Sequence, residues 1–204
     1  MQARPTPAKP TFTARARSGF DWRFETLGEP ALQHILSATM DFAAEMESSA
    51  PPRWLTLSGG CGAGKSHLAR QTKRFWIEHA GWVRAEGKSG SYRRLRECRF
   101  ISWRKFVQRQ KAGEFRELVD LMDLPLLIVD DIGAEYDPTG FAKGRLDELL
   151  DARLGKWTFI TTNLSLQEIG EQLDARIASR MKRGGSRFIK TTAPDYNLRV
   201  RSAA

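Results

Sequence analysis

Gly59-Gly-Cys-Gly-Ala-Gly-Lys-Ser66 is the stretch on which the fold turns. It fits G-x-x-x-x-G-K-[ST], a spacing with a mechanism behind it. The glycines let the backbone wind tightly, so that successive N–H groups point inward at phosphate oxygens. Lys65 reaches the terminal phosphates of a bound nucleotide, and the Ser66 hydroxyl suits Mg²⁺. The loop needs a strand before it and a helix after it, because the helix N-terminus adds positive potential. Both flanks qualify: Trp54-Leu-Thr-Leu-Ser58 is predicted as a buried strand, and a helix is predicted from about Lys65 to His79. Gly59, Gly60, Cys61, Gly62, Ala63, Gly64, Lys65, Ser66 and His67 are therefore the expected nucleotide contacts, with ATP and Mg²⁺ as ligands.

Some sixty residues downstream, Leu126-Leu-Ile-Val-Asp-Asp131 has the pattern of a buried strand ending in two acids. After a phosphate loop, such a strand supplies Asp130 to hold Mg²⁺ through water and Asp131 to polarise the attacking water. Phe100–Trp103, Thr158–Thr161 and Arg187–Lys190 are three more predicted strands. Helices are predicted over 104–121, with an interruption near Gly113, and over 141–154. Ser165 opens another helix, with Glu168 placed for a capping box. Strands alternating with helices predict an α/β fold: a three-layer αβα sandwich around a five-stranded, mainly parallel sheet. In such sheets ligands bind at the carboxyl ends of the strands, where every motif above falls.

Four segments together resemble one family. Ser58–Ala69, Leu126–Glu135, Phe159-Ile-Thr-Thr-Asn-Leu164 and Arg176-Ile-Ala-Ser-Arg-Met181 look like the DnaC/IstB branch of AAA+ P-loop ATPases, from about residue 50 to 199. The resemblance implies that Asn163 is the sensor residue orienting the hydrolytic water. It implies that Arg180 is an arginine finger serving the next subunit's nucleotide, with Arg176 as the rival, and that the chain self-associates into an AAA+ oligomer. The catalytic set is then Lys65, Asp131, Asn163 and Arg180. The chain ends soon after the fifth strand, so no helical lid domain is expected. The region before the core is shorter than the helicase-binding domain of a full loader.

The composition sets the wider bounds. The chain has 204 residues, 41% of them hydrophobic, and a net charge of +9. That supports one packed core and favours a polyanionic partner. No run approaches the ~18 apolar residues of a membrane helix. The two cysteines, Cys61 and Cys98, form no disulfide framework, which places the chain in a reducing cytoplasm. The expected organisation is a disordered basic tail over 1–25, a helical segment over 26–50, the ATPase core over 51–199 and a short tail over 200–204. Residues 84–99 are predicted as a basic loop. Arg104, Lys105, Arg109 and Lys111, interleaved with Trp103 and Phe106, are candidate contacts for single-stranded DNA.

The leading family activity is loading or remodelling a replicative helicase on single-stranded DNA, and a close second is assisting a transposase as IstB-type proteins do. A small-molecule P-loop kinase would want an arginine-bearing lid and would not need the Asn163 and Ser179-Arg-Met181 features. A nucleotide-binding module with negligible turnover is the remaining alternative.

Overall fold

The computed structural model describes residues 19–26, 28–48, 50–80, 82–84, 92–94 and 97–196, with no side chains over 80–96. The predicted tails over 1–18 and 197–204, and most of the predicted basic loop, lie outside the described residues.

Five strands form one all-parallel sheet: β1 (Trp54–Gly59), β4 (Cys98–Ser102), β5 (Leu126–Ile132), β6 (Trp157–Thr162) and β7 (Arg187–Thr191), in the order β4-β5-β6-β1-β7. A separate antiparallel pair joins β2 (Trp82–Arg84) to β3 (Tyr92–Arg94), the latter inside the stretch 84–99 predicted as loop. Its Trp, Val and Tyr residues favour extended backbone and outweigh the surrounding charge. β4 begins two residues before the predicted Phe100, and Trp103 belongs to the following helix.

Among the described residues, seven helices accompany the sheet: α1 (Pro30–Glu47), α2 (Lys65–Phe75), α3 (Trp103–Lys111), α4 (Arg116–Met122), α5 (Phe141–Ala152), α6 (Leu166–Glu168) and α7 (Ala175–Arg180). Wider π turns extend α2 over Trp76–Ala80 and α6 over Ile169–Leu173. The predicted capping box of α6 is present, with the Ser165 hydroxyl accepting the Glu168 N–H and the Glu168 carboxylate accepting the Ser165 N–H.

Strands sandwiched between helices are buried on both faces, so their apolar residues run on without a polar alternation. Successive side chains of β5 serve opposite layers. Leu126 and Ile128 pack under α1 and α2 with Leu32, Ile35, Phe42, Leu68 and Phe75. Leu127 and Val129 face α3, α5 and α7 through Phe106, Leu146, Leu149 and Ile177. Pro30 opens α1 at a position where its missing N–H costs nothing.

One assignment is corrected. Residues 19–25, expected to be tail, are built into the fold. Trp22 is buried and stacks on Phe75, with ring centroids 5.7 Å apart, and Phe20 lies edge-on to Phe75 at 5.3 Å. The Arg74 guanidinium covers Phe20 at 4.3 Å and donates to the Asp21 carbonyl. Three aromatics in five residues give this segment enough apolar area to hold itself down, which the surrounding Pro, Thr and Arg composition conceals.

Candidate nucleotide site

β1 lies between β6 and β7, where the strand order turns back toward the N-terminal strand, and its exit loop opens at the carboxyl edge of the sheet. Gly59–Gly64 wrap above that edge, and α2 begins at Lys65. Gly64 precedes the helix in the left-handed conformation, and no side chain caps it. The first N–H groups of α2 therefore have no intrahelical partner and point into the loop, an arrangement that suits an anion.

Two of the loop glycines are required by close neighbours as well as by their positive φ. A side chain at Gly62 would run into the Asp195 carboxylate, and one at Gly64 into the Phe24 ring. The loop is thus held from both sides, by the N-terminal segment and by the segment after β7. The Tyr196 N–H completes the second contact by donating to the Gly62 carbonyl at 3.0 Å. Between these straps lies a cavity of about 470 Å³, lined among others by Arg23, Phe24, Leu32, Lys65, His67 and Tyr196. Its volume and its aromatic walls suit a nucleotide base and sugar. Neither Phe24 nor Tyr196 belongs to a recognisable motif, so the sequence gives no signal for them.

Lys65 is buried. Its ammonium donates to the Gly59 and Gly60 carbonyls, both at 2.7 Å, and to Asn163 Oδ1 at 2.9 Å. Burial pushes its pKa below the ordinary value, while Cys61, Asp131 and Asp130 pull it back up. All three of its hydrogen bonds are to neutral oxygens, partners that an anion of phosphate strength can displace.

The two strand-end acids differ in setting. Asp130 is buried and accepts the Thr161 hydroxyl at 2.7 Å, and that hydroxyl accepts the Asp131 N–H at 2.8 Å. Asp131 takes φ +64°, unusual for a residue with a side chain, where the β5–β6 register shifts between Val129 and Ile132. The turned backbone brings its carboxylate to 3.3 Å from Asn163 Nδ2. Burial and the adjacent Asp130 raise the Asp131 pKa, opposed by Lys65 and Arg104. Asn163 thus touches both Lys65 and Asp131, and its amide also lies 3.7 Å from the Cys61 sulfur. Lys65, Asp131 and Asn163 are brought together as the motifs require.

Among the described residues no group of three or more His, Cys, Asp or Glu could hold a metal ion by itself. Ser66 at the start of α2 and the buried Asp130 fit Mg²⁺ differently. This ion commonly takes one or two protein oxygens and fills its remaining positions with phosphate oxygens and water.

The remaining expected site residues lie elsewhere. Arg180 is largely buried, and its guanidinium pairs with Asp147 and, at 2.7 Å, with Asp151 on α5 of the same chain. Arg176 on the same helix is exposed. Arg104, Lys105 and Lys111 are exposed on α3. Arg109 departs from them: Glu117 binds its guanidinium through both oxygens, at 2.9 and 2.8 Å, so its charge is compensated locally. Trp103 and Phe106 are fully buried core residues. No described helix is long and apolar enough to cross a membrane.

No protein-family model matches the chain, and no curated protein matches it by sequence. Solved structures do match. The DnaC helicase loader aligns with a TM-score of 0.63 at 20% identity, over 80% of this chain and 92% of that one. DnaI aligns with a TM-score of 0.63 at 18% identity, over 91% of this chain and 93% of its own. A replication initiator DnaA bound to AMPPCP and single-stranded DNA aligns with a TM-score of 0.58 at 14% identity, over 77% of this chain and 46% of that one. With its five-stranded all-parallel sheet, the chain shares the α/β fold of the AAA+ domains of DnaC, DnaI and DnaA.

Proposed function

We propose that this chain is an ATP-binding and ATP-hydrolysing AAA+ protein that assists the loading or remodelling of a replicative helicase on single-stranded DNA in the cytoplasm. The observation that carries the ATPase part is the contact set of Asn163, with Lys65 on one side and Asp131 on the other. ATP phosphates entering the loop give Lys65 a better partner than its present carbonyls. The ammonium turns to them, and the Asn163 side chain is freed beside Asp131. Asp131 then polarises a water that Asn163 orients. Ser66, and Asp130 through water, would hold Mg²⁺, which would supply charge neutralisation on the phosphates. Arg180 serves the neighbouring subunit's nucleotide, which makes turnover depend on self-association. For that role it must exchange Asp147 and Asp151 for the neighbour's phosphates.

Arg104, Lys105 and Lys111 form the proposed track for single-stranded DNA, supported by their exposure on one helix and by the chain's net charge of +9. DnaC and DnaI, which share the fold, prompt the helicase as partner. The test is ATPase activity against protein concentration, with and without single-stranded DNA, together with co-purification of a replicative helicase. Turnover per chain should rise with concentration. A protein that neither binds nor hydrolyses ATP at any concentration would end the proposal, and co-purification of a transposase in place of a helicase would redirect its second half.

A further inference from the structure

Asp131 owes its place beside Asn163 to an unusual backbone path. It leaves β5 at φ +64°, Ile132 rejoins β6 opposite Thr162, and Gly133 turns at φ +82°. A left-handed aspartate is held only if the surrounding structure over-determines it. On the strand side the Thr161 hydroxyl accepts the Asp131 N–H, and the Thr162 hydroxyl donates to the Ile132 carbonyl at 2.9 Å. On the exit side the holder is one carboxylate. Glu135 Oε2 accepts the Gly133 N–H at 2.9 Å, and Glu135 Oε1 accepts the Trp103 indole N–H at 2.8 Å.

Trp103 is a firm anchor. It is the first residue of α3, fully buried and stacked on Phe106 with ring centroids 5.2 Å apart. Its ring N–H is its single polar atom and needs a partner in the core, which Glu135 provides. The carboxylate is half-buried and spans two elements that the sheet alone leaves independent: the turn after β5 and the first turn of α3.

We propose that Glu135 is a positioning residue for hydrolysis, tying the Asp131–Gly133 turn to Trp103 and so keeping the Asp131 carboxylate at Asn163. This rests on the ATPase proposal above for its catalytic meaning. Gln fills the same space but offers one accepting oxygen for two N–H donors, so Glu135→Gln breaks one arm of the bridge. Trp103→Phe removes the other donor and keeps the ring. ATP turnover and amide hydrogen exchange at residues 131–133 are measured on the full chain and on both variants and their double.

Each single variant should lower kcat roughly tenfold or more while KM for ATP stays within about twofold, because the phosphate loop is untouched. The double variant should be no slower than the slower single, since both changes break one bridge. Exchange at 131–133 should speed up in Glu135→Gln, a readout that needs no turnover. A normal kcat in Glu135→Gln, a multiplicative loss in the double, or unchanged exchange would each overturn the proposal. Wild-type protein without turnover would sink the ATPase proposal instead, and exchange would still judge the bridge. If Trp103→Phe fails to fold, Glu135→Gln carries both measurements.

Discussion

Two buried cations sit at opposite ends of the sheet, and their differences separate function from architecture. Lys65 lies at the carboxyl edge and Arg153 at the amino edge, below Leu124 and Trp157, and both are almost wholly enclosed by protein. Arg153 donates to the Leu124, Trp157 and Met122 carbonyls and to the Thr158 hydroxyl, and the Trp54 indole donates to its own carbonyl. Burial brings its pKa down to about 10, partly offset by Asp123. Its planar fork matches fixed carbonyls that terminate loops and strands, so any exchange of partners would unpair them. Lys65 is a point charge on a flexible stem, and its partners include the Asn163 side-chain amide, which also contacts Asp131. One cation closes a structure, and the other, under the proposed function, exchanges neutral partners for a phosphate.

The contrast breaks first if Lys65 proves structural. Lys65→Ala removes charge-assisted contacts to phosphate worth about 1.5–3 kcal/mol each. For two such contacts ATP affinity should fall roughly 10²–10⁴-fold, with little change in thermal midpoint. Isothermal titration and a melting curve on the same sample decide it, and a large loss of stability with intact ATP affinity would reverse the assignment.

Arg153→Met makes the mirror-image case. It orphans the Leu124 and Trp157 carbonyls at about 1–3 kcal/mol each, so denaturant unfolding should show a loss of about 2–6 kcal/mol. ATP affinity of the folded protein should stay unchanged. Weakened ATP binding without a stability loss would mean that the amino edge communicates with the site.

Arg180 is the intermediate case, paired like Arg153 but with carboxylates, which a neighbour's phosphates can replace. Arg180→Ala should bind ATP normally and hydrolyse it slowly. Mixing it with Lys65→Ala should restore some turnover, because one partner supplies the arginine and the other an intact phosphate loop. If mixed oligomers form and nothing returns, Arg180 is architectural, and the exposed Arg176 takes its place in the same assay.

The same contrast marks what the sequence could convey. The sheet was legible in the alternating strands and helices, and the set spacings put Lys65, Asp130, Asp131 and Asn163 around strand ends, where the structure has them. Arg153 was not legible, since Asp151-Ala-Arg-Leu-Gly155 reads as an ordinary helix end and two of its partners, the Met122 and Leu124 carbonyls, come from a segment about thirty residues away. Phe24 and Tyr196 were missed for the same reason, since their contacts join distant segments and no local pattern announces them; Glu135 closes the Leu126–Glu135 segment, but its contact with Trp103 is not visible there. Arg109 erred in the other direction, because a charge census sees the arginine and cannot see Glu117 gripping it. The ordered start at 19–26 was hidden by the basic, proline-rich composition around three aromatics.

The smallest effect expected concerns the charges around Asp131, and its sign follows from their identities. Burial and Asp130 raise the Asp131 pKa, and Lys65 and Arg104 lower it. Asp131 polarises water only when ionised, so kcat should fall on the acid side as it takes up a proton. That fall should begin at a higher pH than for an ordinary carboxylate. Arg104 stands exposed in the first turn of α3, and Arg104→Gln removes one of the two stabilising charges while leaving the phosphate loop intact. The acid limb of the kcat profile should then move to still higher pH. Arg109→Gln, five residues along the same helix, removes a guanidinium already paired with Glu117 and should leave the limb where it is. Profiles are recorded without nucleic acid and at saturating ATP, so that only the bound complex titrates. A downward move in Arg104→Gln, or equal moves in both variants, would show that the limb belongs to another group and that the Arg104 charge does not reach Asp131.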